Sequence, residues 1–263
     1  MDPLRILLGL LISIGIGALA YKRGSLSASG WLGAIITGTA TFGFGGWPHG
    51  VALVFFFVSS TLWSRLKKNQ KAKLEQTVFE KGSHRDIGQA LANGGLGALI
   101  CCAIPIWPEH LPIINVLFAA TMATVAADTW ATELGVLFGG TPRLITSLKP
   151  APKGTSGAVS AYGTVAAFAA AVSVGIVFST VNATLSWQFV LLISLAGLVG
   201  CLFDSLLGAT VQRIYQGSEG PTERPRSPDG TPYPLIRGWR WLNNDMVNFI
   251  SSLAGALLAW LFV

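Results

Sequence analysis

Apolar stretches of about the length of a bilayer crossing recur along this chain and constrain its fold more than any single motif. About 20 apolar residues carry a helix across the hydrocarbon core, and shorter runs cross where the bilayer thins. Eight segments fit, over residues 4–21, 26–44, 49–64, 87–105, 112–138, 157–180, 187–212 and 241–262. Hydrophobic residues make up 51% of the chain and charged residues 11%, a balance that suits lipid-embedded helices and not a soluble domain. The expected fold class is therefore all-α: a polytopic, multi-pass membrane bundle of about eight transmembrane helices, forming one integral membrane domain over residues 1–263. The first stretch has the length of a signal peptide, but it lacks a basic start beyond Arg5 and further spans follow it, so it reads as a helix. GFGGWPHG (43–50) reads as a tight turn. Cys101, Cys102 and Cys201 fall in apolar segments with no metal-ligand or disulfide spacing, so they read as small core hydrophobes.

Charge orients the bundle. Lys22, Arg23 and the basic loops over 65–85, 143–153 and 213–240 all fall on one side of the eight-helix arrangement, and Arg5 is the sole Lys or Arg on the other. That bias makes the basic side cytoplasmic. The net charge of +6 thus reports orientation and phosphate binding, and no motif argues for nucleic acid. The lysines of the 65–81 loop read as topology-setting solvated charge, and His49 and His110 as surface residues of the opposite face.

Against this apolar background the acids stand out. An ionised carboxylate at membrane depth is expensive, so it is paired, faces an aqueous cavity or holds a cation. Asp128 and Glu133 lie in DTWATELG (128–135), Asp204 near the end of the seventh segment, and Asn243, Asn244, Asp245 and Asn248 at the start of the eighth. Asp86, Gln89 and Asn93 follow an i, i+3, i+7 pattern and share a helix face. All approach the basic boundary, which predicts a polar chamber open to the cytoplasm. Asp128 and Glu133 are about 140° apart on a regular helix, so they share one cation only if the helix unwinds or the chamber wraps around it. Gly135, Gly139 and Gly140 make a local break reasonable.

The following segment, GGTPRLITSLKPAPKGTSGAVS (139–160), supplies opposite charge. Arg143, Lys149 and Lys153 alternate with prolines that stiffen the chain. Gly154 and Gly157 let backbone amides approach an anion, and Thr155 and Ser156 add hydroxyls, so the segment reads as a phosphate-binding loop. It is not a Walker A motif. Carboxylates suited to Mg²⁺ beside such a loop are the components of phosphoryl or nucleotidyl transfer, with a nucleoside triphosphate and a lipid as the substrate class.

DTWATELG, KGTSGAVS, FDSLLGATVQ (203–212), LNNDMVNFIS (242–251) and KGSHRDIGQALANGG (81–95) together resemble the membrane family that includes the plant phytyl-phosphate kinase of tocopherol synthesis. The resemblance covers nearly the whole chain, and the layout is more distantly similar to phosphatidate cytidylyltransferases and CTP-using polyprenol kinases. It implies CTP-dependent phosphorylation of an isoprenyl (phytyl or geranylgeranyl) monophosphate to its diphosphate. Under it Asp128, Asp204 and Lys153 are the catalytic expectations. Asp128 and Asp204 are the favoured Mg²⁺ ligands, with Glu133 and Asp245 supporting. Arg143, Lys149 and Lys153 would hold the triphosphate with Gly154, Thr155 and Ser156; Lys81 or Arg85 would meet the acceptor phosphate, and Asn244 and Asn248 would contribute amides. A monophosphate is already a nucleophile, so no strong general base is needed. Structural rivals remain for each: acids can pair with basic side chains, and the amides near Asn243 can cap a helix. The alternative functions are cytidylyl transfer to a lipid, an isoprenoid-alcohol kinase, and an ion or lipid transporter.

Overall fold

The computed structural model describes residues 2–182 and 185–263, without the side chains of Lys73 and Glu75. Among the described residues nine α-helices form: α1 (Pro3–Lys22), α2 (Ala28–Ala40), α3 (Trp47–Arg65), α4 (Lys68–Thr77), α5 (Ile87–Ala103), α6 (Leu111–Phe138), α7 (Ala161–Val181), α8 (Phe189–Thr210) and α9 (Asn244–Trp260). All but α4 coincide with the apolar segments. Four apolar stretches, Pro3–Lys22, Pro108–Phe138, Ala161–Val181 and Phe189–Thr210, are long and apolar enough to cross a membrane.

Local signals explain the helix starts. Asp86 and Gln89 form a reciprocal capping box at α5, and Ser27, Ser160 and Asn243 each accept a backbone N–H as N-caps of α2, α7 and α9. Asn243 is thus a cap, and α9 begins at Asn244. Between α2 and α3 a π-helical turn, Thr41–Gly45, replaces the expected simple turn. Arg5 donates to the Gly43 carbonyl there (2.8 Å), at the end away from the other basic residues.

The bundle is built around α6, which packs on α3, α5, α7, α8 and α9. From Ile114 to Ala127 every residue but Leu117 is buried, as expected of a helix that is apolar on all sides. Small residues set the approach of its neighbours. A Cβ at Gly200 of α8 or Gly255 of α9 would come within 2.5 or 2.1 Å of Thr124 Oγ1, so both helices close on one threonine.

The all-α expectation needs correction in the loops. Strands β1 (Arg143–Leu144) and β2 (Ala158–Val159) pair antiparallel, and β3 (Ile214–Gly217), β4 (Gly220–Thr222) and β5 (Leu235–Arg237) form a second antiparallel sheet in the order β4-β3-β5. Strands of two to four residues lie at or below what apolar periodicity can signal. The 65–85 loop likewise contains α4. His49 is also corrected: it is buried between the rings of Phe118 (4.6 Å) and Phe178 (5.1 Å). The three cysteines are free, Cys101 and Cys201 buried, as core hydrophobes should be.

Helix α7 begins at Ala161, not 157, because Gly157 adopts φ +82° and β2 intervenes. A Cβ there would lie 2.3 Å from the Ala209 backbone nitrogen of α8, whereas at Gly140 (φ +64°) it would meet nothing within 4 Å. Gly157→Ala therefore combines a left-handed backbone cost of about 1–3 kcal/mol with a backbone clash, and Gly140→Ala carries only the first. Thermal unfolding in detergent should show a larger drop in midpoint for Gly157→Ala; equal drops would contradict the packing.

Candidate functional site

At the end of the bundle where the basic loops converge lies a cavity of ≈ 270 Å³, lined from α3 to α9 and all three long loops. Asp128, Glu133, Asp204 and Asp245 line it, as do Lys81, Arg85, Lys153, Gly154, Thr155, Ser156, Asn244 and Asn248. Arg143 and Lys149 do not. Arg143 turns back to donate to the Leu148 carbonyl (2.8 Å) while its backbone pairs with Val159, and the exposed Lys149 lies outside the cavity wall, so neither joins the residues that line the cavity.

Of the two arrangements open to Asp128 and Glu133, unwinding does not occur: α6 runs unbroken to Phe138, and one cavity reaches both acids. The two acids have different surroundings. Glu133 is ion-paired with Lys71 and accepts from Ser64 Oγ (2.5 Å). Lys71 also donates to the carbonyls of Trp63 (2.8 Å) and Ser64 (2.9 Å) at the end of α3. Lys71 is buried, which corrects its reading as solvated charge; α4 presses it inward, a placement that single-residue charge does not reveal. Asp245 is ion-paired with Lys81, which also reaches Asp86 (2.9 Å). Burial alone would lower the Lys81 pKa, but its hydrogen bonds to Asp245 and Asp86 outweigh burial and raise it. The Gln89 backbone N–H and Lys81 hold Asp86 below the usual carboxylate range against the opposing effect of burial.

Asp128 and Asp204 have no ion pair among the described residues. Asp204 Oδ2 accepts from Ser251 Oγ (2.8 Å). With its amide nitrogen turned toward Asp204, Asn248 donates to the same oxygen (3.1 Å). Asp128, Asp204 and Glu223 line the same cavity. The described residues contain no ready cluster of three or more His, Cys, Asp or Glu placed to hold a metal. Mg²⁺, however, usually needs only one or two carboxylates plus substrate phosphates. Asp128 and Asp204 are the pair able to serve, whereas lysines already neutralise Glu133 and Asp245.

Lys153 donates to the Val136 carbonyl (2.7 Å), a cation at the carbonyl end of α6. Gly154 (φ +83°) lies behind it, with Thr155 and Ser156 on the cavity wall. Arg85 is the fourth cation on the cavity wall, with Lys71, Lys81 and Lys153. Burial lowers its pKa to about 10, so it stays charged at neutral pH.

Sequence reasoning missed Glu223. It comes from the end of the β4 hairpin and accepts from Ser156 Oγ and Gln212 Nε2, both at 2.9 Å. Its backbone N–H donates to the Val78 carbonyl, and Arg237 donates to the Gly208 carbonyl (2.6 Å), so the hairpin is tied to the 66–86 loop and to the end of α8. An acid within a polar loop gives no apolar contrast to mark it, and Glu219 and Asp229 share the segment between 213 and 240, so no sequence signal singles it out.

Mostly helical architecture, apolar spans and a charged chamber at one end define an integral membrane protein. The chain belongs to the family described as integral membrane protein DUF92, which matches residues 11–256. Protein PGR of Arabidopsis thaliana is 32% identical over 97% of this chain and 94% of its own. An uncharacterized membrane protein of Synechocystis is 30% identical over 94% of this chain and 85% of its own. Protein VTE6, chloroplastic, of Arabidopsis thaliana is 28% identical over 89% of this chain and 64% of its own. No solved structure matches.

Two predictions follow from the ionised groups. Lys71→Met strands Glu133 without its partner and should destabilise the protein by about 3–5 kcal/mol, far more than Lys68→Met at an exposed site, as read from unfolding midpoints in detergent. Burial, partly offset by hydrogen bonds from Ser156, the Glu80 backbone and Gln212, pushes the Glu223 carboxyl above its ordinary 4.5. A raised acid contributes stability below pH 4.5 that is lost as pH rises through the folded value. Glu223→Gln should therefore lose less thermal stability than wild type between pH 4.5 and neutrality. A parallel decline would contradict this environment.

Proposed function

We propose that the chain is an isoprenyl-phosphate kinase that transfers the terminal phosphoryl group of CTP to an isoprenyl monophosphate. The carrying observation is one cavity that joins two unpaired carboxylates, Asp128 and Asp204, to the 153–156 loop and to Arg85 at the end of an apolar bundle. The motifs that resemble the phytyl-phosphate kinase family, and the similarity to VTE6 over most of the chain, support the same reading. All eight apolar helices are then spans of one domain, and the chamber faces the cytoplasm, where the nucleotide is found.

In the reaction an oxygen of the acceptor phosphate attacks the γ-phosphorus, the bond from that phosphorus to the β,γ-bridging oxygen breaks, and CDP departs with the electron pair. Asp128 and Asp204 would hold Mg²⁺, which supplies charge neutralisation on the transferring phosphates. Lys153, with the hydroxyls of Thr155 and Ser156, binds the triphosphate; Arg85 and Lys81 orient the acceptor phosphate. Lys71 and Lys81 keep Glu133 and Asp245 from adding negative charge around the phosphates. Positioning and electrostatics carry the catalysis, since the acceptor is already ionised.

Purified protein incubated with Mg²⁺, labelled CTP, ATP, GTP or UTP, and phytyl, geranylgeranyl or farnesyl monophosphate should yield isoprenyl diphosphate and CDP. Pyrophosphate with a CDP-lipid would assign cytidylyl transfer instead, and no product in any combination would end both readings. Asp128→Asn should lower turnover by at least about 100-fold with little change in thermal stability, and chelation of divalent cations should abolish turnover reversibly.

A further inference from the structure

A second cavity, of ≈ 80 Å³, opens between α1, α2, α3 and α5. Its walls are almost wholly apolar, including Gly17, Gly38, Phe42, Leu53 and Phe56. Three residues line this groove and the polar cavity alike: Arg85, Gln89 and Asn93. Arg85 just precedes α5, and Gln89 and Asn93 continue from it along that helix into the bundle, so the two spaces meet along one side of α5. At the junction the Arg85 guanidinium lies over the rings of Phe56 (5.7 Å) and Phe57 (5.5 Å). Its Nη1 is fully buried and has no hydrogen-bond partner among the described residues. A buried cationic N–H without an acceptor is costly, and it points to an anion that completes it.

We infer that this groove receives the hydrocarbon chain of the acceptor, with Arg85 binding the acceptor's phosphate where groove and chamber meet. The inference rests on the isoprenyl-phosphate reading above. A single-chain lipid with an anionic head fits both halves: apolar walls for the chain, an unsatisfied guanidinium for the head. The groove's volume is close to half that of a cavity of about 150 Å³ that takes benzene, so it encloses no more than part of the isoprene unit nearest the phosphate. The rest of the chain runs on into lipid. Recognition is therefore of the branched unit next to the phosphate, and overall chain length is not read here.

The test uses the full-length chain in nanodiscs and geranylgeranyl or farnesyl monophosphate carrying a diazirine on the isoprene unit next to the phosphate. Photolabelled peptides should map to α2, α3 and α5, and unlabelled geranylgeranyl monophosphate should compete. Ala34→Leu and Val54→Phe, which fill the groove from opposite walls, should each weaken labelling about tenfold for both chain lengths while the nucleotide KM stays unchanged. Arg85→Gln should weaken labelling similarly. Competable labelling confined to α7 and α8 would overturn the groove and leave the acceptor class intact. Absence of competable labelling anywhere would overturn both. Groove labelling displaced by phospholipid but not by isoprenyl monophosphate would show a resident bilayer lipid and overturn the assignment.

Discussion

Charge that enters an apolar bundle must be compensated where it enters, and this requirement shapes one whole end of the molecule. Four carboxylates there each have their own solution: Lys71 and Ser64 for Glu133, Lys81 for Asp245, Ser251 for Asp204, and Ser156 with Gln212 for Glu223. Ser64 and Ser251 come from α3 and α9, and the other partners from loops and from the short helix α4, so the loops fold down onto the bundle and do not trail in solvent. Removing one partner would leave a buried charge alone, which is far more costly than the net gain from the pair.

Compensation also sorts the acids. Those matched by lysines are electrostatically quiet, and those matched only by hydroxyls and amides retain capacity for a cation. Asp204 and Glu223 are in that second class, and Asp128 has no ion pair among the described residues. Asp128 and Asp204 stand on neighbouring helices, α6 and α8, whose approach is set by Gly197 against Ala123 and Gly200 against Thr124. Close packing deep in the bundle thus fixes the relative position of two carboxylates nearer its end. The same logic separates Lys153, anchored on the Val136 carbonyl at the cavity wall, from Arg143 and Lys149, which the β1–β2 pairing carries away from it.

Most helices were legible because apolar runs of bilayer length leave the chain few alternatives. The site was legible in outline for the same reason: Asp128, Asp204 and Asp245 are conspicuous within apolar sequence. Glu223 and Lys71 were not, because acids and lysines in polar segments look solvated until a tertiary contact buries them. The geometric difficulty of Asp128 and Glu133 lying about 140° apart disappears without any unwinding, since loops on two sides of α6 let one cavity reach both faces.

The amino-acid order alone determined the apolar helices, their capping at Asp86, Ser160 and Asn243, and the gathering of charge toward one end, because periodicity, caps and desolvation cost act locally along the chain. Only the tertiary structure decided which charges meet. Lys71 and Glu133 are separated by 62 residues and Lys81 and Asp245 by 164, and no local rule links residues so far apart. Which carboxylates stay free to bind a ligand is therefore a property of the packed loops, where desolvation and pairing balance residue by residue.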